Sequence, residues 1–490
     1  MTTISERANK LLQRALLLAG LSVMSVAIAA AQTNAPASAK SRASAAAKTQ
    51  SAGHDPAEPP ANAPHPKILP RPAGAIPRSS FHEKNMRDII HEQVSCGTRL
   101  TLSSWTDPKR GIGCGRDFIM KRFNDIAAAS NGKLEVVWDK FESKSERTGP
   151  NPVHLENVYG VLKGSDPALA KNIFIMVGDF DSRPSNVMDP NADAPGADDD
   201  SSGVAAMLES ARVLSKLAAQ GHGPRATILL GALSGEEQGL LGAYRLLEWT
   251  KEQGYTVGAM MDNDIVGADP APGGPHRVRV FSENGTIEDC DGPQRELARA
   301  IEEIDGRSAI RMIFRLDRYG RGGDHYPFSK AGLPAVRFTE PFENYNHQHQ
   351  TPRTENGIEY GDYEKFLNFV FIGNVARDNA EVLRQLSLAP APPTNVRLTG
   401  AVTPDAKVSW EAADDADRAG FEILWRETTE ERWTVFDFAE APGKTVLKDV
   451  STDNHYFAVR SVGKNGARSI AVVAEAERRA PPTPTNAPKQ

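Results

Sequence analysis

Asn172-Ile-Phe-Ile-Met-Val177 is a short apolar run closed by Gly178, and Asp179-Phe180-Asp181-Ser182-Arg183 follows it directly. The chain then reaches Ala194-Pro-Gly-Ala-Asp198-Asp199-Asp200-Ser-Ser-Gly203, after which Val204, Met207, Leu208, Ala211, Leu214 and Leu217 recur at helical spacing. A bounded apolar run of this length reads as a buried strand, and the later recurrence as the core-facing side of a helix ending near Ala219. Ser201 or Ser202 stands where an N-cap belongs, because a hydroxyl there satisfies an otherwise orphaned helix N–H. Open α/β sheets bind their ligands at the C-terminal ends of their strands, which is where this acidic loop falls. Carboxylates packed so closely repel one another unless a cation neutralises them. A solvated acidic loop is the plain alternative, so the meaning of the stretch depends on what the rest of the chain brings to the same edge.

The alternation continues on both sides. Residues 86–92 and 117–129 have helical spacing, and 133–140 and 154–162 have strand character. Downstream come a strand at 226–233, a helix at 240–253, an apolar run at 257–266 broken only by Asp262, Asn263 and Asp264, and a strand at 277–281. A helix at 293–304, a strand at 335–338 and a long helix at 362–386 complete the series. Strands alternating with helices predict an α/β domain over 79–388, built on a mostly parallel mixed sheet covered by helices on both faces. Ala389-Pro-Ala-Pro-Pro393 then reads as a linker with few contacts crossing it. Beyond it, short alternating segments at 395–398, 406–410, 420–425, 433–436 and 456–462 predict a small all-β sandwich over 389–478. Val408-Ser-Trp410, Phe421-Glu-Ile-Leu-Trp425 and Tyr456-Phe-Ala-Val-Arg460 resemble a fibronectin type III domain. That resemblance implies a core position for Trp410 and a tyrosine-corner position for Tyr456.

The 490 residues leave room for two or three domains, and a net charge of −6 gives no basic footprint for nucleic acid. Arg7, Lys10 and Arg14 precede the apolar residues 15–28 and the small residues Ala29-Ala30-Ala31, the layout of a secretory signal over 1–31. No cysteine adjoins the cleavage site, so the expectation is a secreted or periplasmic protein with no stable membrane insertion once the signal is removed. Residues 32–78 are rich in Ala, Pro, Ser and Lys without apolar periodicity and read as a disordered linker or pro-segment, as do the Pro-rich residues 479–490 as a tail. Three cysteines are too few for a disulfide scaffold. Cys96 and Cys114 can pair in an oxidising compartment, leaving Cys290 free, or all three can stay reduced.

Chemistry-bearing residues gather at the predicted strand ends. Asp179 and Asp181 follow one strand, Asp199 lies in the loop before the helix, Glu236 and Glu237 follow the next strand, Asp264 ends another, and His349 lies in a polar loop after the last. Each alone has an ordinary explanation: glutamates at a helix start favour its dipole, and an aspartate at a strand end is often a turn residue. Together they fall on one edge of one sheet. Oxygen donors with an imidazole suit zinc or a similar divalent ion, a shared carboxylate permits two ions, and an unliganded glutamate can then deprotonate water.

With Asp181-Ser182, Gly235-Glu-Glu237, Asp264-Ile-Val-Gly267, Asp324-His-Tyr-Pro-Phe328 and the His349 loop added to the Asp198–Gly203 segment, the chain resembles the M28 zinc aminopeptidases over about 95–385. The resemblance implies that Asp199 bridges two zinc ions, Glu237 and His349 bind one of them, Asp264 binds the other, and Glu236 is the general base. His347 is the alternative to His349, and Asp181 matches a residue that orients a ligand histidine. The chain departs from the pattern at Asp179, where relatives carry histidine; as a ligand it supplies a hard oxygen and favours manganese or cobalt beside zinc at that half-site. Tyr345 and Tyr326 are the candidates for a tyrosine that holds the tetrahedral intermediate. The implied activity is a metallo-aminopeptidase acting on peptides, with the sandwich as a module for polymer or surface contact. A carboxypeptidase or a one-zinc glutaminyl cyclase on the same fold is the alternative within enzymes. A non-catalytic binding protein is the alternative outside them, and it gives no reason for the Glu236-Glu237 pair.

Overall fold

The computed structural model describes residues 74–271, 274–283 and 291–477. The expected signal at 1–31, residues 32–73 of the expected linker, Cys290 and the expected tail at 479–490 lie outside these residues. Among the described residues, β1 (Leu134–Ser143), β2 (Val153–Leu162), β3 (Asn172–Asp179), β4 (Thr227–Leu233), β5 (Thr256–Asn263), β6 (Val278–Phe281), β7 (Ile310–Ile313) and β8 (Ala335–Thr339) form one mixed sheet. Its order is β1-β2-β4-β3-β5-β8-β6-β7. The central β4, β3, β5 and β8 run parallel, and β1-β2-β4 and β8-β6 pair antiparallel.

Helices α1 (Glu83–Ser95), α2 (Ile112–Ala129), α3 (Ser201–Ala219), α4 (Leu241–Glu252), α5 (Pro293–Asp305), α6 (Tyr326–Lys330) and α7 (Phe369–Leu388) cover the sheet. Alternate side chains of a strand point to opposite faces, and β3 shows the result. Ile173, Ile175 and Val177 pack with Leu246, Trp249 and Phe328 of α4 and α6, while Met176 joins Ile89, Phe123, Val204 and Ile372 of α1, α2, α3 and α7. The α/β reading holds, with corrections at the edges. The last helix begins at Phe369, capped by the Asn368 side chain, and of residues 362–368 only Glu364–Phe366 are helical, as a single 3-10 turn. Neither Ser201 nor Ser202 caps α3; the Asp200 carboxylate does, accepting from the Gly203 N–H at 3.0 Å. Cys96 and Cys114 are joined by a disulfide between the end of α1 and the start of α2. Among the described residues no helix is long and apolar enough to cross a membrane.

A two-stranded hairpin, β9 (Arg353–Glu355) and β10 (Ile358–Tyr360), follows the His349 loop. The C-terminal part holds β11 (Thr394–Thr399), β12 (Ala406–Glu411), β13 (Arg418–Glu427), β14 (Thr434–Ala439), β15 (Gly443–Leu447), β16 (His455–Gly463), β17 (Val472–Val473) and β18 (Glu475–Ala476). They make two four-stranded sheets, β15-β12-β11-β18 and β14-β13-β16-β17. Between them Trp410, Phe421, Trp425 and Val459 are buried. Tyr456 is half-buried, with Arg426 over its ring.

The expectation of few contacts across the Pro-rich boundary fails. Asp291 receives Arg295 and Arg299 from α5 together with Arg426 from β13, the last at 2.6 Å. Arg432 grips Glu302 with two nitrogens at 2.6 Å, and the Trp433 indole donates to Glu296 at 2.6 Å. Ile470 adds an apolar side chain to the main core. The polyproline segment marks a turn between two packed units rather than a tether.

Candidate metal centre

The C-terminal ends of the parallel strands converge because glycine lets them. A Cβ on Gly178, at the end of β3, would stand 2.7 Å from the Gly203 carbonyl carbon and the Val204 nitrogen, so only glycine allows strand and helix start to approach this closely. Three consecutive aspartates before α3 consequently do three different things. Asp198 accepts from the Gly267 N–H at 2.7 Å, and Asp200 caps the helix. Asp199 lines a cavity of about 610 Å³ that Glu236, Glu237, Asp264 and His349 also line. The backbone N–H groups of Asp198 and Asp199 are fixed by the Asp362 carboxylate at 2.8 to 2.9 Å.

Nε2 of His349 lies 2.9 Å from Asp199 Oδ2 and 2.9 Å from Glu237 Oε1. One ring nitrogen carries at most one proton and can only divide it between the two oxygens, which have no other hydrogen-bond partner. Burial works against a charged ring here, yet Glu237 and Asp199 overcome it and push the His349 pKa up to about 10. Asp199 is held below the ordinary carboxylate range: burial opposes this, and His349, Arg321 and Arg337 prevail. Two carboxylate oxygens and an imidazole nitrogen gathered in this way ask for a cation. Tetrahedral zinc takes such donors at about 2.0–2.2 Å, which puts them roughly 3.3 Å apart, close to the spacing found. The donor set therefore fits one divalent ion. Among the described residues, Asp199, Glu237 and His349 are the group whose donor atoms lie near enough to share one.

The other sequence candidates are placed differently. Asp181 orients no histidine; its carboxylate accepts from the N–H groups of Glu236 and Glu237 at 3.1 and 3.2 Å and from the Thr101 hydroxyl at 2.9 Å. It thereby fixes the two glutamates through their backbone. Burial, then Asp264 and Glu237, raise the Glu236 pKa well above its ordinary value. His347 is stacked on Phe366 at 3.7 Å, so His349 is the histidine of the cluster. Tyr326 starts α6 and Tyr345 is largely exposed; neither lines the cavity. Asp179 is buried at the end of β3, where burial and then Asp200, Asp264 and Asp181 raise its pKa. Asp264 Oδ2 lies 2.7 Å from Nη2 of Arg337, a wholly buried arginine in β8.

Sequence reading missed Asp362, Arg99 and Arg337. Asp362 was hidden by its assignment to a helix start. Arg337 left a usable signal, since a charged residue inside a short buried strand is almost never there without a partner.

The family model of peptidase family M28 matches residues 157–370. A probable zinc metalloprotease of Leptosphaeria maculans is 39% identical over 410 residues, covering 79% of this chain and 93% of that protein. Another from Pyrenophora tritici-repentis is 38% identical over 434 residues, covering 83% and 88%. Among solved structures, the Legionella pneumophila LapA aminopeptidase superposes with a TM-score of 0.47 at 20% identity, covering 64% of this chain and 73% of that one. A Porphyromonas gingivalis glutaminyl cyclase gives 0.45 at 17%, covering 62% and 98%. With relatives this similar over most of both lengths, the chain belongs to peptidase family M28.

Proposed function

We infer that the protein is an exported zinc aminopeptidase that removes N-terminal residues from peptides. One observation carries this reading: Asp199, Glu237 and His349 gather three donors for an ion, and Glu236 lines the same cavity. Family membership supports peptide substrates, and the names of the fungal relatives support zinc. Bound there, zinc supplies Lewis acidity to the scissile carbonyl. Glu236 is the general base that takes a proton from the attacking water and the acid that returns it to the leaving amine. Asp181 keeps base and ligand at a fixed spacing by holding both backbone N–H groups.

The cavity wall favours an amine over a carboxylate. Its arginines are engaged: Arg183 lies 3.4 Å from the Glu237 carboxylate, Arg321 pairs with Glu343 at 2.6 Å, and Arg147 donates to the Glu237 carbonyl at 2.9 Å. With Asp199 and Glu237 neutralised by zinc, the carboxylates of Glu146 and Glu236 are left in the wall to attract a substrate's α-ammonium, which supports an aminopeptidase over a carboxypeptidase. The signal-like residues 1–31 support export to the exterior or the periplasm. The C-terminal sandwich reads as a fibronectin type III-like accessory module for polymers or surfaces. A glutaminyl cyclase is the second reading, favoured by a donor set gathered for one ion.

The test is hydrolysis of aminoacyl chromogenic substrates before and after chelation, with cyclisation of glutaminyl peptides measured beside it. Glu236→Gln should keep its zinc and lose about a hundredfold to ten-thousandfold in turnover. Retention of more than half the wild-type rate would overturn the mechanism, and cyclisation without hydrolysis would select the second reading.

A further inference from the structure

We propose that Arg337 is a built-in cation standing in for a second metal, so that this chain holds one ion, on Asp199, Glu237 and His349, instead of two. The proposal rests on the metal-centre reading above and refines it.

A two-ion site on this scaffold requires Asp264 and the residue at 179 to turn donor atoms toward a common centre with Asp199. Oδ2 of Asp264 is already committed, which leaves Oδ1 as its one unpartnered oxygen. Strand pairing puts Arg337 of β8 opposite Asp262 of β5, two residues before Asp264. From there Nη2 reaches Asp264 Oδ2 at 2.7 Å, and Nη1 reaches Asp317 Oδ2 at 3.0 Å and the Gly322 carbonyl. The guanidinium is thus clamped between carboxylates on two sides. A third side is closed by backbone: a Cβ on Gly323 would stand 2.8 Å from Nη1 and 3.0 Å from Cδ. Arg337 is wholly buried and has no room to swing aside. Its charge is permanent, since guanidinium does not deprotonate in proteins, and it repels any divalent ion brought to Asp264.

The position at 179 tells the same story. A neutral imidazole there would donate through nitrogen, whereas this chain has a buried carboxyl set among Asp181, Asp200 and Asp264. The buried cation whose field reaches it is a second arginine, Arg99. Arg99 is held by the carbonyls of Gln93, Phe180, Pro195 and Gly196 and by the Ser201 hydroxyl, all at 2.7 to 3.0 Å. Asp264 and Asp179 therefore each face a buried arginine of the fold, and the two carboxylates left in the cluster, Asp199 and Glu237, match one divalent ion in charge. Buried charges persist in proteins when they are paired in this way.

The experiment is metal content per chain by elemental analysis of the full-length protein, after equilibration with excess zinc and desalting. Electron paramagnetic resonance of the cobalt(II)-substituted protein is the second readout. Wild type should hold one zinc per chain, and its cobalt signal should be that of an isolated ion. Asp179→His should still hold one, because Arg337 remains. Arg337→Met combined with Asp179→His should hold two and show a spin-coupled cobalt pair. Two zinc ions in wild type, or in Asp179→His alone, would overturn the assignment of Arg337 while leaving the metal centre standing. No zinc at all would overturn the metal centre itself and the proposal with it. Should the Arg337→Met double variant fail to fold, wild type and Asp179→His still decide.

Discussion

His349 has a backbone φ of 56°, in the left-handed region that side-chain-bearing residues seldom occupy. That conformation delivers its ring between Asp199 and Glu237, while His347, two residues earlier, turns away onto Phe366. His349→Ala should remove a third of the protein donors and bring zinc content close to zero after dialysis. His347→Ala should leave zinc content at the wild-type value, because it takes away a stacking contact with Phe366 and a long hydrogen bond to Asn344, neither of which touches the cluster. If the two variants lost zinc equally, the cluster would be misassigned. The family resemblance put His349 first and kept His347 as the alternative, since a polar loop has no periodicity to fix its register. The three aspartates before α3 posed a similar difficulty: Asp198, Asp199 and Asp200 are chemically identical, and only the backbone path separates latch, cluster member and cap. The glutamates were easier. Gly235-Glu-Glu237 closes a strand whose apolar run is unmistakable, so their place at the sheet edge was legible.

The elements that position the cluster depend on close backbone packing at the β3–α3 corner. An added methyl at Gly178 would press on the backbone of Gly203 and Val204, which cannot rotate out of the way as a side chain can. Gly178→Ala should therefore cost about 1–3 kcal/mol through overpacking, read as a lower denaturant midpoint with an unchanged slope. Zinc affinity should fall with it, because Asp199 hangs from the same corner. Gly254→Ala is the control for a glycine substitution in open space; it has a positive φ of 68° but nothing near its Cβ, so its cost comes from backbone strain alone. The long elements were legible because their periods repeat: β3, β4, α3 and α5 lie within a few residues of where pattern puts them. The misses have physical causes. β7 has four residues and β15 five, giving too few repeats to register, and α6 has five residues with proline in its first turn. Asp362 looked like a helix start but serves as an anchor for the Asp198 and Asp199 backbone.

At the scale of the whole molecule, the peptidase part and the sandwich should unfold together, against what the proline-rich segment suggests. Arg426 is nearly inaccessible, and it links Asp291 of the peptidase part to β13 while packing over Tyr456 and near Trp433. Calorimetry at pH 7 should show one cooperative transition, whereas two beads on a tether would give two. Arg426→Ala leaves Asp291 with Arg295 and Arg299, so its cost should be about 1–3 kcal/mol rather than that of stripping a buried charge bare. For a cooperative unit of roughly 400 residues that is a drop of about 1–4 °C, at about 1 °C per kcal/mol. The sign of the pH dependence follows from Asp291. Burial would raise its pKa, but Arg299, Arg295 and Arg426 more than offset it and hold the carboxyl below its ordinary value. A depressed folded-state pKa contributes stability that is complete above the unfolded value near 3.9 and disappears as pH falls through the folded one. The gap in midpoint between wild type and Arg426→Ala should therefore be full at pH 6 and shrink below about pH 4. Glu296, which burial pushes up and Arg299, Trp433 and Arg426 pull down, loses the Arg426 contribution in the variant, so its share of the gap also shrinks as pH falls, in the same sense as that of Asp291. A gap that stayed constant to pH 2.5 would mean that Arg426 acts through its packing on Tyr456 and Trp433 and not through the ion pair.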